Sequence, residues 1–308
     1  MIMQSRPQYW YYILAVIPPF MGAVSNVLSK YSINDISPVA MLFWRWVIAV
    51  LLMTPFVMRG FIAEFHNIKA AWRVISIAAF FGIALFNLFV YCGVQYTTST
   101  SSSIIISVFP IFVMLLGFLI NNDRPQMIQI IAITVSLSGA LVIVSHGNVF
   151  QELTGLFDNY GDFLALMGTI CYAIYVFTVK FKPDNLSFYS FSYSAFLLGM
   201  ILLCPLYLFD VFYVGNRFEL NGQNIVVLLS LGVGVSVIGM LIFNMTILKL
   251  GYNLASIIFY LMPLFTSIMA VTILDEKFEC FHFIGMSLIL IGVNLPILSN
   301  YIVLSKRR

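Results

Sequence analysis

The chain has 308 residues and a formal net charge of +3; 61% of its residues are hydrophobic, 9% are charged, and the mean hydropathy is +1.01. A soluble domain carries about 25% charged residues, so this composition excludes a water-covered globule, and so small a net charge does not suggest a nucleic-acid partner. The solvent for most of the surface is lipid.

Residues Met1 to Gln8 are followed by an apolar run with no A-x-A-like cleavage site, so that run reads as an uncleaved first span. A bilayer core of about 30 Å needs roughly 17–25 apolar residues per helix. Apolar runs between charges, Pro/Gly breaks and polar clusters predict ten spans, at 10–29, 38–58, 74–95, 101–121, 126–145, 163–179, 187–209, 225–248, 254–274 and 281–304. The 59–73 and 146–162 stretches read as loops with room for short interfacial helices. With the N-terminus on the cytoplasmic side, Arg6, Arg59, Lys69, Arg73, Arg124, Lys180, Lys182, Lys249, Lys306, Arg307 and Arg308 face the cytoplasm. Lys30, Arg217 and Lys277 face away, and Arg45 lies within a span. The positive-inside rule therefore predicts both termini inside.

The chain repeats itself at an offset of 153 residues. Pro110-Ile111-Phe112 maps onto Pro263-Leu264-Phe265, Asp123 onto Glu276, Gly139 onto Gly292, and Ser103 onto Ser256. The predicted units are 1–147 and 148–308, five spans each. An odd number of spans turns the second unit upside down relative to the first. Such inverted repeats place a substrate site near the midplane, between the units.

With these features the chain resembles the drug/metabolite transporter superfamily, EamA type. Tyr96-Thr97-Thr98-Ser99 through Pro110 to Asp123 resembles the family's repeated pattern, and Leu250-Gly251 to Pro263 and Leu274-Asp275-Glu276 resembles it more closely. Phe20-Met21-Gly22 with Asn26 and Lys30 resembles the family's first helix, and Phe43-Trp44-Arg45 its second-helix F-x-R. The resemblance implies an all-α fold of ten transmembrane helices, a central cavity between the repeats and alternating access. It also implies small-molecule substrates, with export of an amino acid or a derivative favoured. The alternative is uptake or exchange of a cofactor-like metabolite such as S-adenosylmethionine, a purine or riboflavin. No cofactor or metal site is expected, and the protein is expected to work as a monomer in a bacterial inner membrane. Asn26 enters the candidate binding set through this resemblance.

Polar residues at lipid depth are costly and are therefore functional candidates. Arg45 either anchors a substrate carboxylate or phosphate by bidentate hydrogen bonds or caps carbonyls of a neighbouring helix. Asn87 and Tyr91 are four residues apart on one helix face. Ser236, Met240 and Asn244 form a similar stripe in the eighth span, and the offset aligns Asn244 with Tyr91. Thr169, Tyr172 and Tyr175 follow at three-residue steps, and Ser256 and Tyr260 precede Pro263. Asn amides and Tyr hydroxyls together suit a zwitterionic or heteroaromatic solute. Pro110 and Pro263 each remove a helix hydrogen bond and predict paired bends usable as gates. Ser101 to Ser103 and Ser107 predict close helix packing.

Cys92, Cys171, Cys204 and Cys280 form no C-x-x-C, and His66, His146 and His282 are dispersed, so neither set suggests a metal site. No H-E-x-x-H, G-x-S-x-G or paired intramembrane Asp supports an intramembrane enzyme. Rings of charge, expected of a channel, are likewise missing. All carboxylates fall outside or at the margins of the predicted spans, which argues for facilitated diffusion or exchange over a mid-membrane carboxylate relay.

Overall fold

A computed structural model describes residues 9–32, 35–93, 96, 105–145, 147–154, 160–216, 221–273 and 279–305. The side chain of Asn26 lies outside the described residues, as do Ser101 to Ser103, His146 and Glu276. The described residues form helices and no strand. They are α1 (Tyr9–Leu14 and Ile17–Tyr31), α2 (Pro38–Ala63), α3 (Trp72–Gly93), α4 (Phe109–Asn121) and α5 (Met127–Val144). The second half supplies α6 (Tyr160–Val179), α7 (Phe188–Val214), α8 (Gly222–Leu250), α9 (Tyr252–Ile258 and Leu261–Ile273) and α10 (Cys280–Ser305). Among the described residues, eight helices are long and apolar enough to cross a membrane; the apolar helices Trp10–Ser25 and Phe109–Asn121 are shorter. Short helices Phe65–Ala70 and Val149–Thr154 occupy the two longer connections.

Local chemistry sets the helix ends. Ser37 caps α2 by accepting from the Ala40 N–H at 3.1 Å, with Pro38 at the first helical position. Asn221 caps α8 through the Asn224 N–H at 2.8 Å. Only Gly251, at φ 88°, separates α8 from α9, a backbone conformation that a side chain would strain.

Packing between the halves follows the repeat. A Cβ on Gly139 of α5 would lie 2.6 Å from the Gly285 carbonyl oxygen, and one on Gly292 of α10 would lie 2.8 Å from the Ala132 oxygen. Gly139 and Gly292 are 153 apart in sequence, and so are Ala132 and Gly285. Moving up α5 from 132 to 139 moves the contact down α10 from 292 to 285. The two helices therefore run antiparallel around a pseudo-two-fold axis, the inverted relation expected from the sequence. Small residues let their backbones touch.

The α2/α7 pair is antiparallel too, with carboxylates fastening its two ends. The Ser37 hydroxyl at the start of α2 donates to Asp210 at the far end of α7. The Ser187 N–H, capping α7, donates to Glu64 just past α2 at 3.0 Å. In this pair the offset is 150: Ser37 corresponds to Ser187 and Pro55 to Pro205. Trp46 corresponds to Phe196, and their rings lie 4.9 Å apart, facing across the axis.

Two irregularities are duplicated. Residues Ala78–Leu85 of α3 and Ser230–Gly239 of α8 are π-helical, at matching places in the repeats. Such segments are rare and concentrate at functional sites. The helical run at Ile105 turns at Ser107 and Val108 before Phe109 and Pro110, and α9 turns at Phe259 and Tyr260 before Leu261 and Pro263. Each proline thus sits in the first turn of a restarted helix, where its missing N–H costs least, rather than kinking a continuous one.

Candidate functional site

Helix α8 is the spine of a buried polar site. Ser236 is the middle residue of α8, inside its π-helical segment, and Met240 and Asn244 follow at helical spacing on the same face. Each polar member of this stripe closes a separate cluster, and Met240 packs against the apolar surroundings of both.

The first cluster is built around Arg45. Gly232 lies one turn before Ser236, and a Cβ there would meet Ile48 at 2.6 Å and the Arg45 carbonyl oxygen at 3.2 Å. Its missing side chain lets α2 settle against α8 at Arg45. The guanidinium is 4% exposed and donates three hydrogen bonds: Nε to Ser236 Oγ at 2.9 Å, Nη1 to Tyr91 OH at 2.8 Å, and Nη1 to Asn87 Oδ1 at 3.4 Å. Asn87 is oriented in turn by its amide nitrogen, which donates to the Gly82 and Ile83 carbonyls of the π-helical part of α3. The Trp46 ring lies 5.3 Å from the guanidinium carbon. Every acceptor is neutral. Among the described residues no carboxylate reaches Arg45, and no hydrogen bond reaches its Nη2. An arginine at the centre of a membrane helix costs about 2.5–3.5 kcal/mol on insertion scales, and here neutral groups alone offset that cost.

The second cluster lies toward the Lys249 end of α8. The Tyr175 hydroxyl donates to Asn244 Oδ1, and the Asn244 amide nitrogen lies 3.5 Å from Ser192 Oγ of α7. Tyr172, one turn before Tyr175, is walled by aromatic rings: Phe86 at 4.3 Å, Phe109 at 5.3 Å, Phe243 at 5.8 Å and Phe259 at 5.9 Å between centroids. Five helices converge there, α3, α4, α6, α8 and α9, and both repeats contribute.

The structure therefore brings Arg45, Asn87, Tyr91 and Ser236 together, and separately Tyr172, Tyr175 and Asn244. Tyr260 is placed elsewhere, in a cluster with Ala15, Leu254 and Leu264. Its buried hydroxyl has no hydrogen-bond partner among the described residues. The described candidates pack on one another and are buried, apart from Tyr91, which is half-buried. Sequence reasoning did not single out Ser192, Phe86, Phe109, Phe243 or Phe259. Ser192 is one of three alternating serines in α7, and the phenylalanines are four among 29, so neither type stands out in the chain.

An open cavity of about 470 Å³ lies at one end of the bundle, the end predicted to face the cytoplasm, lined by Asp123, Arg124, Gln129, Tyr252 and Asn253 among others. At its edge the Tyr252 hydroxyl donates to Asp123, and Lys180 Nζ lies 3.1 Å from the same carboxylate and 4.8 Å from the Tyr252 ring centroid. The hydroxyl of Tyr252, then Lys180 and Asn121, hold the Asp123 carboxyl below its ordinary range. This triad ties the first repeat to the second at the cavity mouth.

Comparison with known proteins agrees with this architecture. The EamA-like transporter family model matches twice, over residues 9–145 and 159–297. A protein of Archaeoglobus fulgidus described as an uncharacterized transporter is 27% identical over 92% of this chain and 96% of its own. The uncharacterized transporter YyaM of Bacillus subtilis is 25% identical over 92% of each chain. One crystal structure superposes with a TM-score of 0.71 over 95% of this chain and 98% of its own, at 13% identity, a likeness that concerns fold alone. Two family matches covering most of the sequence, on a duplicated, lipid-suited helical bundle, lead to one conclusion: the chain belongs to the EamA-like transporter family and is an integral membrane transporter, not an enzyme.

Proposed function

We propose that this protein is a secondary transporter that exports a small organic metabolite, an amino acid or an amino-acid derivative, by alternating access. The observation that carries the reading is the α8 stripe. Ser236 and Asn244 hold two buried polar clusters, one at mid-depth and one toward the Lys249 end of α8, at a surface to which both repeats contribute. Buried polar groups at this depth are retained where a solute must pass. Opening the Lys249 end would expose the Tyr175/Asn244 cluster first and the mid-depth Arg45 cluster beyond it, and opening the other end would reach the Arg45 cluster first.

In this reading the units divide at residues 147 and 148, and all ten helices cross the membrane with both termini in the cytoplasm. The breaks before Pro110 and Pro263 are the bending points, and Asn26 joins Arg45, Asn87, Tyr91, Tyr172, Tyr175, Asn244 and Tyr260 along the path. The protein acts as a monomer in a bacterial inner membrane. Purified protein in proteoliposomes should give saturable, stereoselective flux. The absence of both flux and binding across a broad panel of amino acids, nucleosides and cofactors would sink the reading.

A further inference from the structure

We propose that Arg45 holds the carboxylate of a monoanionic organic solute, one without a free ammonium group, such as an N-acylated amino acid or a 2-oxo acid. This assignment rests on the transporter reading above and narrows its substrate class.

Charge balance is the first ground. A guanidinium stays protonated at any depth in the protein. At Arg45 it is 4% exposed, and its three partners, Ser236, Asn87 and Tyr91, are all neutral. Lys180, on the surface of the bundle, has Asp123 at 3.1 Å. Among the described residues that is the ion pair formed, and no carboxylate reaches the buried Arg45. A fixed buried charge without a fixed counter-charge is the condition a mobile anion satisfies.

Geometry is the second. Nε and Nη1 are occupied, and Nη2 carries no hydrogen bond among the described residues. Nη2 offers both of its N–H groups to a carboxylate, and the paired contact along the Nη1/Nη2 edge forms when a carboxylate oxygen takes the place of the 3.4 Å bond to Asn87. Tyr91, half-buried beside it, and the Asn87 amide lie within the same polar patch. The duplicated π-helical segments of α3 and α8 flank this point, and Arg45 is the buried cation among the described residues.

The third ground excludes a zwitterion. A zwitterion brings no net charge, so its ammonium group would leave the Arg45 charge uncompensated unless a carboxylate of the protein faced that group. Two described carboxylates are buried, and neither is available to it. Asp210 is engaged by Ser37 and by Asn216 at 2.8 Å, near the end of α7. Asp162 sits in the first turn of α6 and already has a partner. The site compensates one negative charge, and Met240 and Trp46 present apolar surface beside it. A monoanion leaving a cell also runs down the inside-negative potential, worth roughly a 50-fold gradient per charge per 100 mV, which suits export without a carboxylate relay.

The test is a charge series on constant side chains. Flux into proteoliposomes is measured for N-acetyl-L-leucine, N-acetyl-L-phenylalanine and 4-methyl-2-oxopentanoate. Leucine, leucinamide and N-acetyl-L-leucinamide provide the zwitterion, cation and neutral amide. The wild type should move at least one acid about tenfold faster than its amide and zwitterion, a discrimination of about 1.4 kcal/mol. A potential that pulls anions into the vesicles should raise that flux. Arg45→Lys should keep the preference in weakened form, and Arg45→Gln should abolish it. Because Arg45→Gln removes an uncompensated charge, its unliganded melting temperature should equal or exceed that of the wild type. Equal flux of acid and amide, or preference for the zwitterion, overturns the assignment and leaves the transporter reading intact. So does inactivity toward every acid, as long as the protein moves another solute. An Arg45→Gln protein that melts well below the wild type, or fails to accumulate as a monodisperse species, makes the arginine structural and also overturns it.

Discussion

Ser236 and Asn244 stand two turns apart on one face of α8, and each accepts a hydrogen bond that crosses to another helix, from Arg45 and from Tyr175 respectively. Eight residues of helix, about 12 Å of rise, thus connect a cationic cluster to a tyrosine-amide cluster through Met240 alone. A solute passing along this face meets both, and the following outcomes are expected.

Asn87→Ala and Asn244→Ala should each reduce transport about tenfold or more while leaving the fold in place. Interhelical hydrogen bonds in membranes contribute about 0.6 kcal/mol each on average, so melting temperatures should fall by only a few degrees. Flux in proteoliposomes and melting in detergent separate the two effects. If both variants transport normally, the α8 stripe is packing and the assignment of the path is wrong.

Gly139→Ala and Gly292→Ala should cost similar stability, about 1–3 kcal/mol each, the range for overpacking. Each new methyl would press on backbone of the facing helix, the Gly285 carbonyl in one case and the Ala132 carbonyl in the other. A melting experiment in which one substitution is tolerated and the other is not would contradict the two-fold relation of α5 and α10.

Acid should loosen the α2/α7 pair. Burial pushes the Glu64 carboxyl up, yet hydrogen bonds from Ser190 and Ser187 outweigh it, and the carboxyl stays below its ordinary value of 4.5. A carboxyl depressed in the folded state stabilises above its unfolded value and loses that contribution as pH falls through the folded value. Asp123, held below its ordinary value of 3.8, acts in the same sense. The wild type should therefore lose melting temperature below about pH 4.5 more steeply than Glu64→Gln. Parallel pH profiles would remove Glu64 from the account.

Pro110→Ala and Pro263→Ala should slow turnover more than they weaken binding. Either change restores an N–H donor at a helix restart and favours a continuous helix where the chain now turns at Ser107–Val108 or Phe259–Tyr260. The measurement is kcat against KM for counterflow. Unchanged kcat in both variants would rule out the paired bends as gates.

Cys280, at the start of α10, is exposed, whereas Cys171 is buried and Cys92 and Cys204 are half-buried. With both termini cytoplasmic, Cys280 faces outward. A membrane-impermeant maleimide should label intact cells, and Cys280→Ser should remove that label. Labelling only after permeabilisation would invert the orientation.

What the chain determines by itself is the relation between each segment and its solvent. Hydropathy placed α2, α3, α5, α6, α7, α8 and α10 within a few residues of their observed spans, because lipid demands an apolar, internally hydrogen-bonded helix whatever its neighbours do. The 153-residue offset foretold the inverted repeat, since Gly139 and Gly292 owe their identity to the contact each makes. That offset does not hold throughout: in α2 and α7 it is 150, because the connecting segments of the two halves differ in length. The site was legible as a list of costly residue types, with Arg45, Asn87, Tyr91, Asn244 and Tyr175 all on it.

Which of those residues meet was decided by tertiary structure. Arg45 and Ser236 lie 191 positions apart, and Tyr175 and Asn244 lie 69 apart. No periodicity within one helix encodes which neighbour its polar face will touch. Tyr260 satisfied the same residue-type criterion and was turned into a different cluster. Ser192 and the phenylalanines around Tyr172 became visible only once five helices had converged. That no carboxylate among the described residues reaches Arg45 is a property of everything around it, and only the assembled bundle displays it.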